Sequence, residues 1–112
     1  MKKIIVLLLV SLVGFAAQAQ EKKNKNGKHD IAVKGNCEMC KKRIEKAAYA
    51  VPGVKSAIWT ADSQSLHVIM NEEKATPLQI QESIAKAGHD AGEVKASADD
   101  YGKLHSCCQY ER

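Results

Sequence analysis

Apolar residues recur with two different periods between residues 29 and 96. A period of two places alternate side chains on opposite faces of a strand. The third predicted strand shows it best, with Leu66, Val68 and Met70 on one face and His67 on the other. Alternation or strand-forming residues predict four strands in all: His29–Lys34, Val54–Thr60, Ser65–Asn71 and a weaker one at Gly92–Ala96.

Two of the intervening segments have the helical period instead. The first runs from Cys40 to Ala50, is stopped by Pro52-Gly53, and carries an apolar stripe formed by Ile44, Ala47, Ala48 and Val51. The second begins at Thr76, which can cap the helix, with Pro77 at the first helical position and Gln79 completing a capping box. Its stripe is formed by Ile80, Ile84 and Ala87.

The order of these elements is strand, helix, strand, strand, helix, strand. That order predicts an α+β fold of the ferredoxin-like βαββαβ type, with two helices on one face of a four-stranded antiparallel sheet. Trp59 and the stripe of the third strand are expected to have a packing role in the sheet.

The first nineteen residues have the three parts of a secretory signal peptide. Lys2 and Lys3 precede an apolar run from Ile4 to Ala17, and Ala17-Gln18-Ala19 is a small-x-small cleavage site. We therefore expect a periplasmic or secreted protein that is not inserted in the membrane after cleavage. The expected organisation is a signal peptide over 1–19, a flexible basic arm over 20–28, a folded domain over 29–96 and a Cys-containing tail over 97–112.

Net charge says little about partners. The chain of 112 residues carries a formal charge of +4, of which Lys2 and Lys3 contribute two. This is not the basic stripe of a nucleic-acid-binding protein, so no nucleic-acid partner is expected.

The chemistry of the chain is concentrated at Cys37-Glu38-Met39-Cys40. A C-x-x-C pair on a tight turn lets both sulfurs face one ion, and thiolates select soft ions such as Cu(I). The predicted helix start, together with Lys41, Lys42 and Arg43, is expected to lower the thiol pKa values. Two thiolates suit Cu(I) or Hg(II) better than Zn(II), which prefers four ligands.

The segments around this pair resemble the heavy-metal-associated domain family over about residues 30–95. The likeness is carried by Val33 to Cys40 (VKGNCEMC), Ile44 to Ala47, Gly53 to Ala57 and Ile84 to His89 (IAKAGH). The family includes copper chaperones, soft-metal domains of transport ATPases and the periplasmic mercury-binding protein. The resemblance implies a ferredoxin-like fold with Cys37 and Cys40 as metal ligands on an exposed loop.

Further candidate ligands lie elsewhere in the chain. His89 follows the second helix, at the end of the sheet where the first loop is expected, and is either a third ligand or an exposed loop histidine. Cys107 and Cys108 either bind metal or form a disulfide. Met39 is expected to have a packing or solvent-facing role, with weak thioether ligation as the alternative, while His29 and His67 are expected to be surface residues.

The sequence therefore predicts an exported carrier or scavenger of a soft metal, with Cu(I) preferred and Hg(II) or Zn(II) as alternatives. It would pass the ion by thiolate exchange to a membrane metal transporter or another metal carrier. A periplasmic mercury-binding protein is the second interpretation, and a thiol–disulfide redox protein using the same pair is the third. No constellation of catalytic residues stands out, so no enzyme is predicted.

Overall fold

The computed structural model describes residues 23–112. The predicted signal peptide and residues 20–22 of the predicted arm lie outside this range.

Three strands form one antiparallel sheet in the described part of the chain. They are β1 (Gly27–Ala32), β2 (Val54–Thr60) and β3 (Ser65–Met70), in the order β1-β3-β2. The predicted alternation of β3 is confirmed, because Leu66, Val68 and Met70 are fully buried while His67 is exposed. β1 begins two residues earlier than predicted, so that Gly27 and Lys28 belong to the sheet and not to an arm.

Two helices pack on one face of this sheet. α1 (Glu38–Tyr49) packs against β2, and α2 (Pro77–Lys86) packs against α1 and β1. The predicted capping box is present, because the Gln79 N–H donates to the Thr76 hydroxyl while the Gln79 side chain accepts from the Thr76 N–H. The buried helix residues are Cys40, Ile44 and Ala48 in α1, and Ile80, Ile84 and Ala85 in α2. Four of them belong to the predicted stripes, whereas the stripe residues Ala47 and Ala87 are only partly buried.

The prediction of a fourth strand at Gly92–Ala96 is wrong for the described residues. At the free edge of β1, the Gly92 N–H donates to the Ala32 carbonyl, and just beyond the strand Val33 forms an isolated bridge with Ala91. Gly92 has a φ of 54°, and Ala91 and Val94 then bond to each other, so the chain folds into a tight turn instead of continuing along β1. The α+β, ferredoxin-like character of the fold is confirmed, with three strands in place of four.

The C-terminal segment after residue 97 is folded and does not extend into solvent as a polar tail. It contains a short helix, α3 (Ala98–Gly102), and a 3-10 turn (Ser106–Cys108). Leu104, Cys108 and Tyr110 are buried in the same core as the helices and sheet. Across residues 23–112, no helix combines the length and the apolar character that a membrane span requires.

Candidate metal centre

The loop between β1 and α1 is fixed from three sides. The Val33 N–H donates to the Gln64 carbonyl in the β2–β3 turn, and the Lys34 N–H donates to the Asp90 carbonyl after α2. The expected approach of the segment after α2 to the first loop is therefore confirmed, and the β2–β3 turn lies at the same end of the sheet. Gly35 lies against Trp59, Cys40 and Ile44 so closely that a Cβ on it would come within 3.0–3.2 Å of their side chains.

Helix geometry brings the first two sulfurs together. Cys37 occupies the N-cap of α1 with an extended backbone, and Cys40 follows in the first turn. One turn of helix places side chains three residues apart on the same face. The two Sγ atoms are 3.5 Å apart, with Cys40 fully buried and Cys37 half-buried.

The C-terminal segment adds a third sulfur to this pair. The Cys108 Sγ lies 3.4 Å from the Cys37 Sγ, and Cys108 is fully buried. The sulfurs of Cys37, Cys40 and Cys108 all lie within 4.8 Å of one another. We call these three residues the inner sulfur group; all four cysteines of the chain are free thiols.

The other cysteine of the adjacent pair, Cys107, lies outside the inner sulfur group. Cys107 is exposed, and its Sγ is 3.8 Å from the Cys37 Sγ and 3.9 Å from the Cys108 Sγ. It also lies 3.8 Å from the Sδ of Met39, whose side chain is 45% exposed. Met39 is therefore solvent-facing, as predicted, and stands next to a thiol.

Negative charge is favoured on Cys37. Its side chain forms no N-cap hydrogen bond. The N–H of Cys40 and the thiol of Cys108 nevertheless stabilise the thiolate, and they lower the pKa of Cys37 to about 7. The N–H of Met39 acts in the same direction. The lowered pKa arises at the start of a helix, where unpaired N–H groups favour an anion.

The expected contribution of the basic residues after Cys40 is not found. Lys41 donates to the Trp59 carbonyl and pairs with Glu45 at 3.4 Å. Neither Lys41, Lys42 nor Arg43 is among the causes of the lowered pKa of Cys37. The backbone N–H groups and the Cys108 thiol lower the pKa of Cys37, which was the effect expected from these cations.

Cys108 has the opposite tendency. Burial, followed by its contacts with the other cysteine sulfurs, raises the pKa of Cys108 far above its ordinary value. Negative charge is therefore favoured on Cys37, and the protonated thiol is favoured at Cys108. A soft cation that enters the inner sulfur group would displace such protons, because the thiolate is the metal-binding form.

His89 is not an exposed loop histidine and is not part of the inner sulfur group. Its side chain is fully buried, its Nδ1 is 2.8 Å from the Lys34 carbonyl, and its ring stacks on Tyr110. Burial, opposed by the bond to Lys34 and assisted by the charge of Arg43, lowers the pKa of His89. A neutral ring that donates from Nδ1 leaves its Nε2 as an acceptor, and this buried Nε2 has no partner among the described residues.

The other two histidines pair with carboxylates away from the sulfurs. His29 Nε2 lies 2.7 Å from Glu72 and His67 Nδ1 lies 2.8 Å from Asp30. Their interpretation as surface residues fits these positions, since His67 is exposed on β3 and His29 is partly exposed on β1.

Tyr110 is the residue that sequence reasoning missed. Its hydroxyl donates to the Gly88 carbonyl and accepts from the Asp90 N–H, both at 2.8 Å, and it is 3% exposed. Tyr110 thus fastens the C-terminal segment to the loop after α2, two residues beyond Cys108. Three apolar residues in an otherwise polar stretch (Tyr101, Leu104 and Tyr110) were the available signal.

Comparison with known proteins agrees with the geometry of the loop. The model of the heavy-metal-associated domain family matches residues 31–90. Comparison with curated protein sequences gives no significant match.

Several solved structures share the fold. The CopZ metallochaperone is 26% identical with a TM-score of 0.56, covering 58% of this chain and 98% of its own. The N-terminal domain of a potential copper-translocating P-type ATPase from Bacillus subtilis, solved in the Cu(I)-loaded state, is 25% identical with a TM-score of 0.57, covering 60% and 85%. Oxidized MerP from Ralstonia metallidurans is 22% identical with a TM-score of 0.57, covering 60% and 94%, and shows likeness of fold alone.

Proposed function

Because the chain belongs to the heavy-metal-associated domain family, we propose that it is an exported carrier or scavenger of a soft metal ion, with Cu(I) as its ion. The observation that carries the proposal is the inner sulfur group: three cysteine sulfurs within 4.8 Å of one another, on a loop inside the matched region and a segment folded onto it. Cys37 and Cys40 are the primary ligands, and Cys108 completes the site.

The spacing of the sulfurs supports a three-coordinate ion. Bonds of about 2.3 Å, the length known for zinc and thiolate, would separate three sulfurs around one ion by about 4 Å. The contacts of 3.4 and 3.5 Å at Cys37 therefore need to open only slightly. His89 is assigned a structural role, because its Nδ1 is engaged with Lys34 and the ring is held by Tyr110.

The ligand set favours Cu(I) over Zn(II). An all-sulfur site selects soft ions, whereas structural zinc takes four ligands in a tetrahedron. Cys107 would have to join the other three for such a tetrahedron, and it is not part of the inner sulfur group. The names of CopZ and of the Bacillus subtilis domain, which refer to copper, support the same choice.

Transfer to a partner would proceed by ligand exchange. An incoming thiolate binds the ion while one cysteine leaves, and the remaining sulfurs follow in turn. A membrane metal transporter or another carrier is the partner we propose, because domains of P-type ATPases have this fold. The exposed Lys42 beside the loop could help to orient an acidic partner surface.

Export follows from the predicted signal peptide and sets a condition on the site. The periplasm and the extracellular space are oxidising, so that closely spaced thiols can form disulfides there. The inner sulfur group must therefore be kept reduced or occupied by metal to function as a carrier.

Sequencing the N-terminus of protein recovered from the cell envelope would test export. A start at Gln20 is expected, and an intact Met1 would contradict export.

The binding proposal is tested by titrating the reduced protein anaerobically with Cu(I) against a competing chelator. We expect tight binding in the wild type and its loss in a Cys37→Ser/Cys40→Ser variant. Cys108→Ser should bind more weakly but still measurably, because two ligands remain. Binding that is unchanged in the double variant would contradict the assignment of the loop cysteines.

Two alternative functions can be distinguished with the same reduced protein. Hg(II) would be the ion if it, and not Cu(I), is held against physiological thiols. A redox role would be supported if the protein bound neither ion tightly but oxidised a substrate dithiol catalytically, using the contact of 3.5 Å between Cys37 and Cys40.

A further inference from the structure

Two sulfurs beside the inner sulfur group have no role in the site described so far. The exposed Cys107 Sγ lies 3.8 Å from the Met39 Sδ and 3.8 Å from the Cys37 Sγ. Cys37 therefore stands between two sets of sulfurs, with Cys40 and Cys108 on the buried side and Cys107 and Met39 on the solvent side.

From this arrangement we propose that Cys107 and Met39, sharing Cys37, form a second, surface position for Cu(I), which we call the outer position. This inference rests on the proposed function, because it presupposes that the inner sulfur group takes the same ion. It adds a capacity of two ions per chain and a route by which the inner ion reaches the surface.

The chemistry of the three groups suits a soft monovalent ion. Thiolate and thioether sulfurs are soft ligands that favour Cu(I) over hard cations. Bonds of about 2.3 Å would place the sulfurs of one site about 4 Å apart or somewhat more, close to the two spacings of 3.8 Å. A thiolate sulfur has enough lone pairs to bind two ions at once, so Cys37 can bridge the inner and outer positions.

Burial explains neither Met39 nor Cys107. Met39 is 45% exposed on the first turn of α1, where its side chain adds little to the core. Cys107 is exposed, although its neighbour Cys108 is fully buried. The two side chains meet each other on the surface, which is the arrangement a metal position requires and a packing role does not.

The outer position is held in place by the fold. Leu104 and Cys108 anchor the chain on either side of Cys107, and the Cys108 N–H donates to the His105 carbonyl at 2.8 Å. Tyr110 fixes the segment again two residues later. Cys107 therefore does not have to be ordered when an ion binds, which lowers the entropic cost of the outer position.

The outer position would make its ion accessible to a thiolate of the partner. A partner thiolate cannot reach Cys40 or Cys108 directly, because both are fully buried. It can reach an ion bound by Cys107 and Met39. An ion moving from the inner to the outer position keeps its bond to Cys37 and exchanges Cys40 and Cys108 for Cys107 and Met39. Cys107 gives up its thiol proton, the released Cys40 and Cys108 take up protons, the remaining proton comes from solvent, and the ion changes no oxidation state.

The test is the number of Cu(I) ions that each reduced chain retains against a competing chelator, read by native mass spectrometry of the monomer. We expect two ions for the wild type and one for Met39→Leu and for Cys107→Ser. The single remaining ion, in the inner sulfur group, reports that these surface variants are folded. Met70→Leu is the matched control, since it removes a thioether that is buried in β3, and it should retain two.

Each other outcome overturns the proposal in a distinguishable way. One ion per wild-type chain would eliminate the outer position and leave the proposed function intact. Two ions in the wild type and in both surface variants would place the second ion elsewhere. No retained ion in the wild type would overturn the outer position together with the proposed function.

Discussion

The sulfur of Cys37 touches three other sulfurs, and this single atom joins the loop, the helix start and the C-terminal segment. Its distances to the sulfurs of Cys40, Cys107 and Cys108 are 3.5, 3.8 and 3.4 Å. Cys37 is also the half-buried member of the inner sulfur group. In the proposed site it is therefore the residue at which the thiolate is favoured and through which an ion would enter.

Alkylation of the reduced apoprotein should reveal that charge. With a pKa of about 7, half of Cys37 is thiolate near neutral pH, and the rate of its reaction with iodoacetamide should reach half its plateau there. Cys108→Ala removes a thiol that stabilises the thiolate, so the midpoint should move upward. Peptide mass spectrometry across pH measures both rates, and a wild-type midpoint near 9 would contradict the account.

His89 makes stability depend on pH at the residue scale. Its folded-state pKa lies below the ordinary value of 6.5, so the unfolded chain binds a proton that the folded chain resists. Stability is therefore fully present above about pH 6.5 and declines as the pH falls below it, toward the folded-state pKa. The surrounding groups are Arg43, Asp90 and Tyr110, and Arg43 adds to the effect.

Urea unfolding of the apoprotein between pH 6 and 5 should show this decline, because Cys37, with its pKa of about 7, has already taken up most of its proton there and adds little to the slope. His89→Gln should flatten it, whereas His67→Gln, at an exposed pair with Asp30, should leave it unchanged. The lowered pKa of Glu72 contributes only below about pH 4.5, outside this window. A decline of equal slope in His89→Gln would show that another group is responsible.

At the scale of elements, the C-terminal segment packs beside the inner sulfur group, although no helix or strand was predicted for it. The Schellman motif at the end of α2 turns the chain at Gly88, whose φ is 107°, and a Cβ there would lie 2.9 Å from atoms of Asp100 and Leu104. This glycine therefore both ends α2 and leaves room for the segment that carries Cys107 and Cys108.

Tyr110→Phe should loosen that segment without removing a ligand. Burial raises the pKa of Tyr110 to about 12, so its hydroxyl remains a neutral donor. Its loss leaves the Gly88 carbonyl and Asp90 N–H unpaired, and the free energy of unfolding should fall by about 1–3 kcal/mol. Tyr49→Phe, at a side chain 51% exposed, should cost less in the same urea titrations; equal losses would contradict an anchoring role for Tyr110.

Elements defined by local signals could be predicted from the sequence, whereas contacts between distant residues could not. α1, α2, β2 and β3 were predictable because their periodicity, caps and stop signals are local. The fourth strand failed because one Gly with positive φ turned a short run of strand-forming residues into a bridge. The third sulfur could be suspected but not placed, since its position depends on contacts between residues about 70 positions apart.

At the scale of the whole molecule, the ion would connect the two ends of the domain. Cys37 and Cys40 lie near its start and Cys108 near its end, so an ion bound to all three stabilises only the folded arrangement. Ligand that binds the folded state alone stabilises it by about 2.7 kcal/mol at a free concentration of 100 times the dissociation constant.

Thermal unfolding should therefore separate a shared site from a loop site. Cu(I) should raise the melting temperature of the wild type by more than that of Cys108→Ser, because only the wild type ties the C-terminal segment to the loop. Equal increases in the two proteins would mean that the segment packs beside the site without contributing a ligand.

The coordination number of Cu(I) at one equivalent per chain, measured by X-ray absorption spectroscopy, tests the three-sulfur site most directly. We expect three sulfur neighbours in the wild type and two in Cys108→Ser, with no nitrogen neighbour in either. Two sulfurs in the wild type, or a nitrogen attributable to His89, would contradict a site built from Cys37, Cys40 and Cys108.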